Sequence, residues 1–244
     1  MKHRSRPVKT NKKSLTLVVI IAVVIIGGSA TAFMTMGQNN SNRPQNSEQI
    51  KELIQGLTNP AVQNASALGK DTAKITLIEF GDYQCQICAQ FNKQTRSEII
   101  DKYVDTGQVK FLFKDFVLND QTPDNASTLA ARASYCAADQ GKFWEYHDEV
   151  YNNSRGENTG WVTNANLESY ARNVQVPDLV EFSKCLDSQK HTDTVKINDE
   201  VARSIGLQST PTFILVAEGK QPLGIVGAQS FQVFQQAISQ LEKS

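Results

Sequence analysis

Cys85 and Cys88, separated by Gln86 and Ile87, are the residues of this chain best placed to do chemistry. Cysteines at i and i+3 lie on one face of a helix start, so their sulfurs can bridge with little backbone movement. A loop that short adds little chain-entropy stabilisation, so stability alone explains the pair poorly. At a strand-to-helix junction, free N–H groups and the helix dipole favour a thiolate at Cys85. A thiolate is both a nucleophile and a good leaving group. Cys88, one turn deeper, suits a resolving thiol. Two other readings of the pair stand beside this one: zinc ligation and an inert structural disulfide. Zinc needs four ligands, usually from a second close pair. Cys136 and Cys185 are isolated, and His147 and His191 stand alone.

The elements that must position the pair follow from the apolar pattern. Residues 74–80, KITLIEF, read as a short strand carrying one odd acid, Glu79, and broken by Gly81-Asp82. Residues 86–104 read as a helix with Ile87, Phe91, Ile99, Ile100, Tyr103 and Val104 largely on one face, ended by Gly107. VKFLFKDF is a second strand, which makes a βαβ unit with a right-handed crossover. A Cys-x-x-Cys in a βαβ setting points to redox chemistry of thioredoxin type. Helical pieces follow near 124–139, 142–152, 163–173, 178–188 and 191–205, with Asp124, Thr163 and Asp178 as candidate N-caps. PTFILVAEGK and LGIVGA read as a hairpin turning at Gly219, and Ser230 opens a last amphipathic helix. One sheet can collect these four strands, with the helical block as a subdomain. Trp144, Tyr146 and Tyr151 read as subdomain core or surface.

Glu79 is costly to bury charged. Buried beside the sulfurs, it would hold a raised pKa and could relay the proton of Cys88; on an edge strand it would simply face water. Thr210-Pro211 precedes the hairpin. It reads either as an ordinary turn or as a cis bond that exposes the Thr210 backbone to an extended substrate. Cys136 and Cys185, if joined, close a loop of about 50 residues, worth roughly 4 kcal/mol. A structural bond pinning two helices and a second redox relay are both open. Asn39, Asn64, Asn125 and Asn152 lie in Asn-x-Ser sequons.

The formal net charge is zero, but the first 13 residues hold six Lys or Arg and no acid. The remainder is mildly acidic, which argues against nucleic acid as a partner. Residues 1–14 read as a cytoplasmic basic segment, 15–36 as a transmembrane anchor or a cleaved signal peptide, and 37–48 as a flexible linker. Residues 49–244 form the folded domain, within which Ser47 to Leu57 show helical spacing. Either reading of 15–36 sends the domain out of the cytoplasm, anchored at the cell membrane by a single pass or released as a secreted or periplasmic protein. Four cysteines in an exported domain suit disulfides.

The stretches LIEFGDYQCQICAQF, VKFLFKDFVL, ARASYCAADQGKFWEYHDEVY and STPTFILV, in this order, resemble the DsbA-like thioredoxin-fold family over roughly residues 70–244. The membrane-proximal extension and extra cysteine pair are similar to anchored homologues of Gram-positive bacteria and archaea. The resemblance implies an α/β thioredoxin fold, a central mixed β-sheet with an inserted all-helical subdomain at about 119–206. It implies a nucleophilic Cys85, a resolving Cys88, a buried acid at Glu79 and a cis-proline at Pro211. Thr210, Gln86 and Ile87 would line the substrate, and Cys136 and Cys185 would form a structural disulfide. It implies a monomer with no bound cofactor and no metal. The implied reaction donates a disulfide to reduced exported proteins, with re-oxidation by a membrane partner of DsbB-like or vitamin K epoxide reductase-like type. Strongly oxidising members carry Pro-His between the cysteines, whereas this chain has Gln86-Ile87. Reduction or isomerisation of disulfides is therefore an alternative activity, and a non-catalytic peptide-binding or chaperone module is a third.

Overall fold

The computed structural model describes residues 56–58, 66–121 and 123–243. The basic start, the apolar segment at 15–36, the linker and most of the helix expected at Ser47 to Leu57 lie outside them. Among the described residues, no helix is long and apolar enough to cross a membrane.

Five strands of the described residues build one mixed sheet: β1 (Ala67–Leu68), β2 (Ile75–Gly81), β3 (Val109–Asp115), β4 (Thr212–Ala217) and β5 (Leu223–Val226). Their spatial order is β1-β3-β2-β4-β5. β2 and β3 run parallel, with Leu77 beside Phe111 and Glu79 beside Phe113. β4 lies antiparallel on the other side of β2, bringing Phe213 beside Glu79. β5 closes the hairpin on β4, and β1 pairs antiparallel with β3. The β2 strand is thus central, which removes the edge-strand reading of Glu79. Gly81 belongs to β2 rather than breaking it, because its backbone keeps the register with Asp115.

Helix α1 crosses from β2 to β3 through consecutive segments Gln86–Phe91, Asn92–Arg96, Ser97–Ile99 and Ile100–Val104, the second and fourth being π-helical. Between β3 and β4 come α2 (Ala126–Ala138), α3 (Phe143–Asn152), α4 (Asn164–Asn173), α5 (Leu179–Asp187) and α6 (Thr192–Ser204); α7 (Phe231–Lys243) follows β5. Thr163 and Asp178 cap α4 and α5, accepting from the backbone N–H of Asn166 and Glu181. Asp124 does not cap α2. The cap position falls on Asn125, whose left-handed φ of 42° sets the chain's entry into the helix.

Strand alternation divides the core between the two sheet faces. Ile75, Leu77, Phe111, Phe213 and Leu215 pack with Phe91 and Ile99 of α1 and with Phe234 and Ile238 of α7. Ile78, Phe80, Leu112 and Ile214 face the other way, against Ala202 and Ile205 at the end of α6. The inserted helices hold a core of their own around Tyr135, Tyr146, Tyr151 and Phe182, and Cys85 and Cys88 join it. A disulfide joins Cys136 of α2 to Cys185 of α5 across 49 positions of sequence.

Candidate active site

The turn between β2 and α1 is held from several directions. Asp82 Oδ1 accepts the N–H of Gln84, an Asx turn that points the chain into the helix. Its Oδ2 accepts the N–H groups of Leu118 and Asn119, tying the turn to the segment leaving β3. Gln84 is buried and donates to the Asn119 carbonyl and to Ser127 Oγ at the start of α2, while its own Oε1 accepts from Asn158 N–H. Tyr151 of α3 donates to the Asp82 carbonyl. These contacts fix Cys85 as the N-cap of α1.

Cys85 Sγ accepts the N–H of Cys88 at 3.4 Å, and its thiol also lies 3.4 Å from the Thr210 carbonyl. The Thr210–Pro211 bond is cis. Both cysteines are free thiols and buried, with Cys85 4% exposed and Cys88 closed off entirely. Gln86 and Ile87 form the exposed rim; Ile87 is 45% exposed. Ile87 therefore does not share the buried face of Phe91, Ile99, Tyr103 and Val104. It stands at the mouth of the helix, where no element among the described residues covers it. Gly156, at a φ of +93°, comes so close to the Gln86 amide that a Cβ there would collide with Nε2.

The electrostatics of the two sulfurs diverge. A hydrogen bond between the thiols, supported by the N–H groups of Cys88 and Ile87, lowers the Cys85 pKa from 9.0 to about 7 against the opposing effect of burial. Burial pushes the Cys88 thiol well above its ordinary value, reinforced by the hydrogen bond to Cys85 and by the charges of Cys85 and Glu79. Glu79 is 1% exposed, and among the described residues neither carboxyl oxygen has a hydrogen-bond partner. Burial raises its pKa from 4.5 to about 8, with Arg96 pulling down and Cys85 and Asp148 pushing up. Near neutral pH the site therefore combines a half-ionised outer sulfur, a protonated inner sulfur and a protonated acid that senses both.

Sequence reasoning singled out Cys85, Cys88, Glu79, Thr210 and Pro211, and the fold brings Cys85, Cys88 and Thr210 into contact. It missed the wall behind them. The Tyr83 ring lies within 5.5 Å, centroid to centroid, of Phe113, Tyr151 and His147, the His147 ring sits edge-on to Phe113 and Tyr151, and Tyr83 Oη lies 3.0 Å from His147 Nδ1. The one local signal was the acid two residues before Gln84. The α3 residues lie some sixty positions away and carried none.

Known proteins resemble this chain in sequence and fold. A thioredoxin family model matches residues 61–238. Disulfide bond formation protein D of Bacillus subtilis is 29% identical over 167 residues, covering 68% of this chain and 72% of that protein. A probable disulfide bond formation protein D of Bacillus cereus is 26% identical over 206 residues, covering 84% and 88%. The crystal structure of oxidised BdbD from Bacillus subtilis, at 25% identity, gives a TM-score of 0.66 and covers 76% of this chain and 96% of that one. Wolbachia pipientis α-DsbA1, at 22% identity, shares the fold with a TM-score of 0.61 over 72% and 89% of the two chains. The chain belongs to the thioredoxin family and, within it, to the DsbA-like protein dithiol–disulfide oxidoreductases.

Proposed function

We propose that this protein donates disulfides to reduced exported proteins outside the cytoplasm, with Cys85 as the attacked and attacking sulfur. The supporting observation is the contrast between the sulfurs: an N-cap Cys85 with its pKa lowered to about 7, and a buried Cys88 held as a thiol. In the oxidised enzyme a substrate thiolate attacks Cys85 Sγ, the Cys85–Cys88 bond breaks, and Cys88 leaves with the electron pair. Glu79 supplies the proton that Cys88 needs. A second substrate thiolate then attacks its own sulfur in the mixed disulfide, forming the product disulfide and releasing Cys85 as a thiolate. The substrate loses two electrons and the Cys85–Cys88 pair gains them. The carbonyl of Thr210, held by cis-Pro211, pairs with the extended substrate backbone, and Gln86 and Ile87 contact its side chains.

A membrane partner of DsbB-like or vitamin K epoxide reductase-like type takes the electrons from the reduced pair. Residues 15–36 tether the domain or direct its export, residues 37–48 link it, and the folded domain at 49–244 works as a monomer. The Cys136–Cys185 bond serves structure.

A second reading, reductase or isomerase on the same site, is favoured by Gln86-Ile87 and by a Cys85 pKa near that of thioredoxin, about 7, rather than far below it. The reduction potential of the Cys85–Cys88 couple decides between them. A value well above about −200 mV supports disulfide donation, and one near thioredoxin's roughly −270 mV overturns it.

A further inference from the structure

Arg96, in the first π-helical segment of α1, is only 7% exposed, and its buried Nε has no hydrogen-bond partner among the described residues. Burying a guanidinium is costly, so its placement needs a reason. Its guanidinium stacks 4.7 Å from the Trp144 ring centre and 5.8 Å from that of Phe111. Nη1 donates to Asp148 at 2.6 Å and to Asn92 at 3.3 Å. Phe111 lies beside Leu77 on β2, and Glu79 follows two residues along the same face. The guanidinium is thereby set against the sheet face that carries the unpartnered Glu79 carboxyl, while its counter-charge, Asp148, is 40% exposed at the surface.

We propose that Arg96 and Asp148 form a positioning pair for proton transfer: the buried guanidinium favours ionisation of Glu79, the surface carboxylate restrains that pull, and together they set the pH at which Glu79 exchanges a proton with Cys88. The proposal rests on the reading of Glu79 as the relay for Cys88. The electrostatics support the geometry, since Arg96 lowers and Asp148 raises the proton affinity of Glu79. The other groups facing Glu79 are accounted for. Cys85 and Cys88 come from the start of α1, and the Cys85 thiolate pushes Glu79 up. Tyr83 beyond β2 and Tyr151 on α3 stay neutral, because burial raises both phenols well above their ordinary value. His147 on α3 is held neutral by burial, which keeps its pKa well below 6.5. Phe113 on β3 and Phe213 on β4 are apolar neighbours across the sheet. The pair acts from opposite signs, so its two members must have opposite effects. A merely structural ion pair has no such property.

The test uses the reduced full chain and oxidised glutathione. Cys85 thiolate attacks the glutathione disulfide and releases one glutathione; Cys88, giving its proton to Glu79, then attacks Cys85 Sγ and releases the second. The rate of that second step is followed against pH. Arg96→Gln is expected to move the inflection up by about one pH unit and Asp148→Asn to move it down by a comparable amount, with Arg96→Lys returning it toward the parent. In a Glu79→Gln background the inflection disappears and Arg96→Gln adds nothing. Shifts in the same direction, or no shift while Glu79→Gln still alters the profile, overturn the proposal. An inflection that survives Glu79→Gln removes the relay reading itself, and the proposal with it. Should Arg96→Gln fail to fold, Asp148→Asn at the surface decides: a downward shift sustains the proposal and an unmoved profile ends it.

Discussion

Replacing Glu79 by Gln is expected to stabilise the reduced protein, and to do so increasingly as pH rises. The carboxyl titrates at about 8 in the fold against an ordinary 4.5, chiefly through burial. Between those values the folded chain keeps the proton and the unfolded chain gives it up. The unfolded state then binds fewer protons, so stability falls with pH by about 1.4 kcal/mol per unit for this one group. The contribution is intact below about 4.5 and is lost as pH climbs through about 8. Gln occupies nearly the same volume and cannot titrate. The stability difference between Glu79→Gln and the parent should therefore grow by about 2.5 kcal/mol between pH 5.5 and 7.5. Other shifted groups, such as Asp115 raised by burial to about 6 and Cys85 lowered to about 7, are present in both proteins and largely cancel. Urea unfolding of the two reduced proteins across that range measures the difference directly. A difference that stays flat, or shrinks, with pH would refute the buried, protonated acid on which the mechanism relies.

Removing the Cys136–Cys185 disulfide by a double change to Ser should cost up to about 4 kcal/mol, since it releases a loop closed across 49 positions; thermal unfolding reads this, while the alkylation rate of Cys85 should stay unchanged. Ile87→His places a titratable cation donor on the exposed rim beside Cys85, and should lower the thiolate pKa and raise the reduction potential by roughly 10–30 mV. Equilibration with glutathione buffers measures it, and a lowered potential would contradict the electrostatic reading. Gly81→Ala would set a Cβ 2.6 Å from the Phe113 ring and 3.0 Å from Tyr151 Oη. Expected costs are about 1–3 kcal/mol of stability and a loosened turn ahead of Cys85, visible as a lower unfolding midpoint.

Much of the site was legible because its signals are local. Cys85 and Cys88 sit at a strand-to-helix junction that the apolar pattern marks, and Glu79 stands out as an acid in an apolar strand. Its central position needed the register with Phe113 and Phe213, which only the assembled sheet shows. Thr163 and Asp178 have cap chemistry and act on it; Asp124 has the same chemistry but lies one residue too early, since Asn125 takes the left-handed position. β1 was invisible because two residues carry no periodicity, and its pairing with Phe111 and Leu112 is made by backbone. The partners of α1 were hidden for another reason. Arg96 and Asp148 are 52 residues apart, and nothing in either neighbourhood marks a buried ion pair. The helical spacing put Ile87 with the buried face, but helical spacing does not say where a covering element ends.

The proposed chemistry starts from the Cys85 thiolate, and titration of Cys85 in the reduced protein measures it directly. Ultraviolet thiolate absorbance, paired with the pH dependence of alkylation at Cys85 and Cys88, separates the two sulfurs. An inflection near pH 7 is expected at Cys85, with Cys88 unreactive until far higher pH. An inflection at or above the ordinary thiol value of 9.0, or alkylation of Cys88 ahead of Cys85, would contradict it.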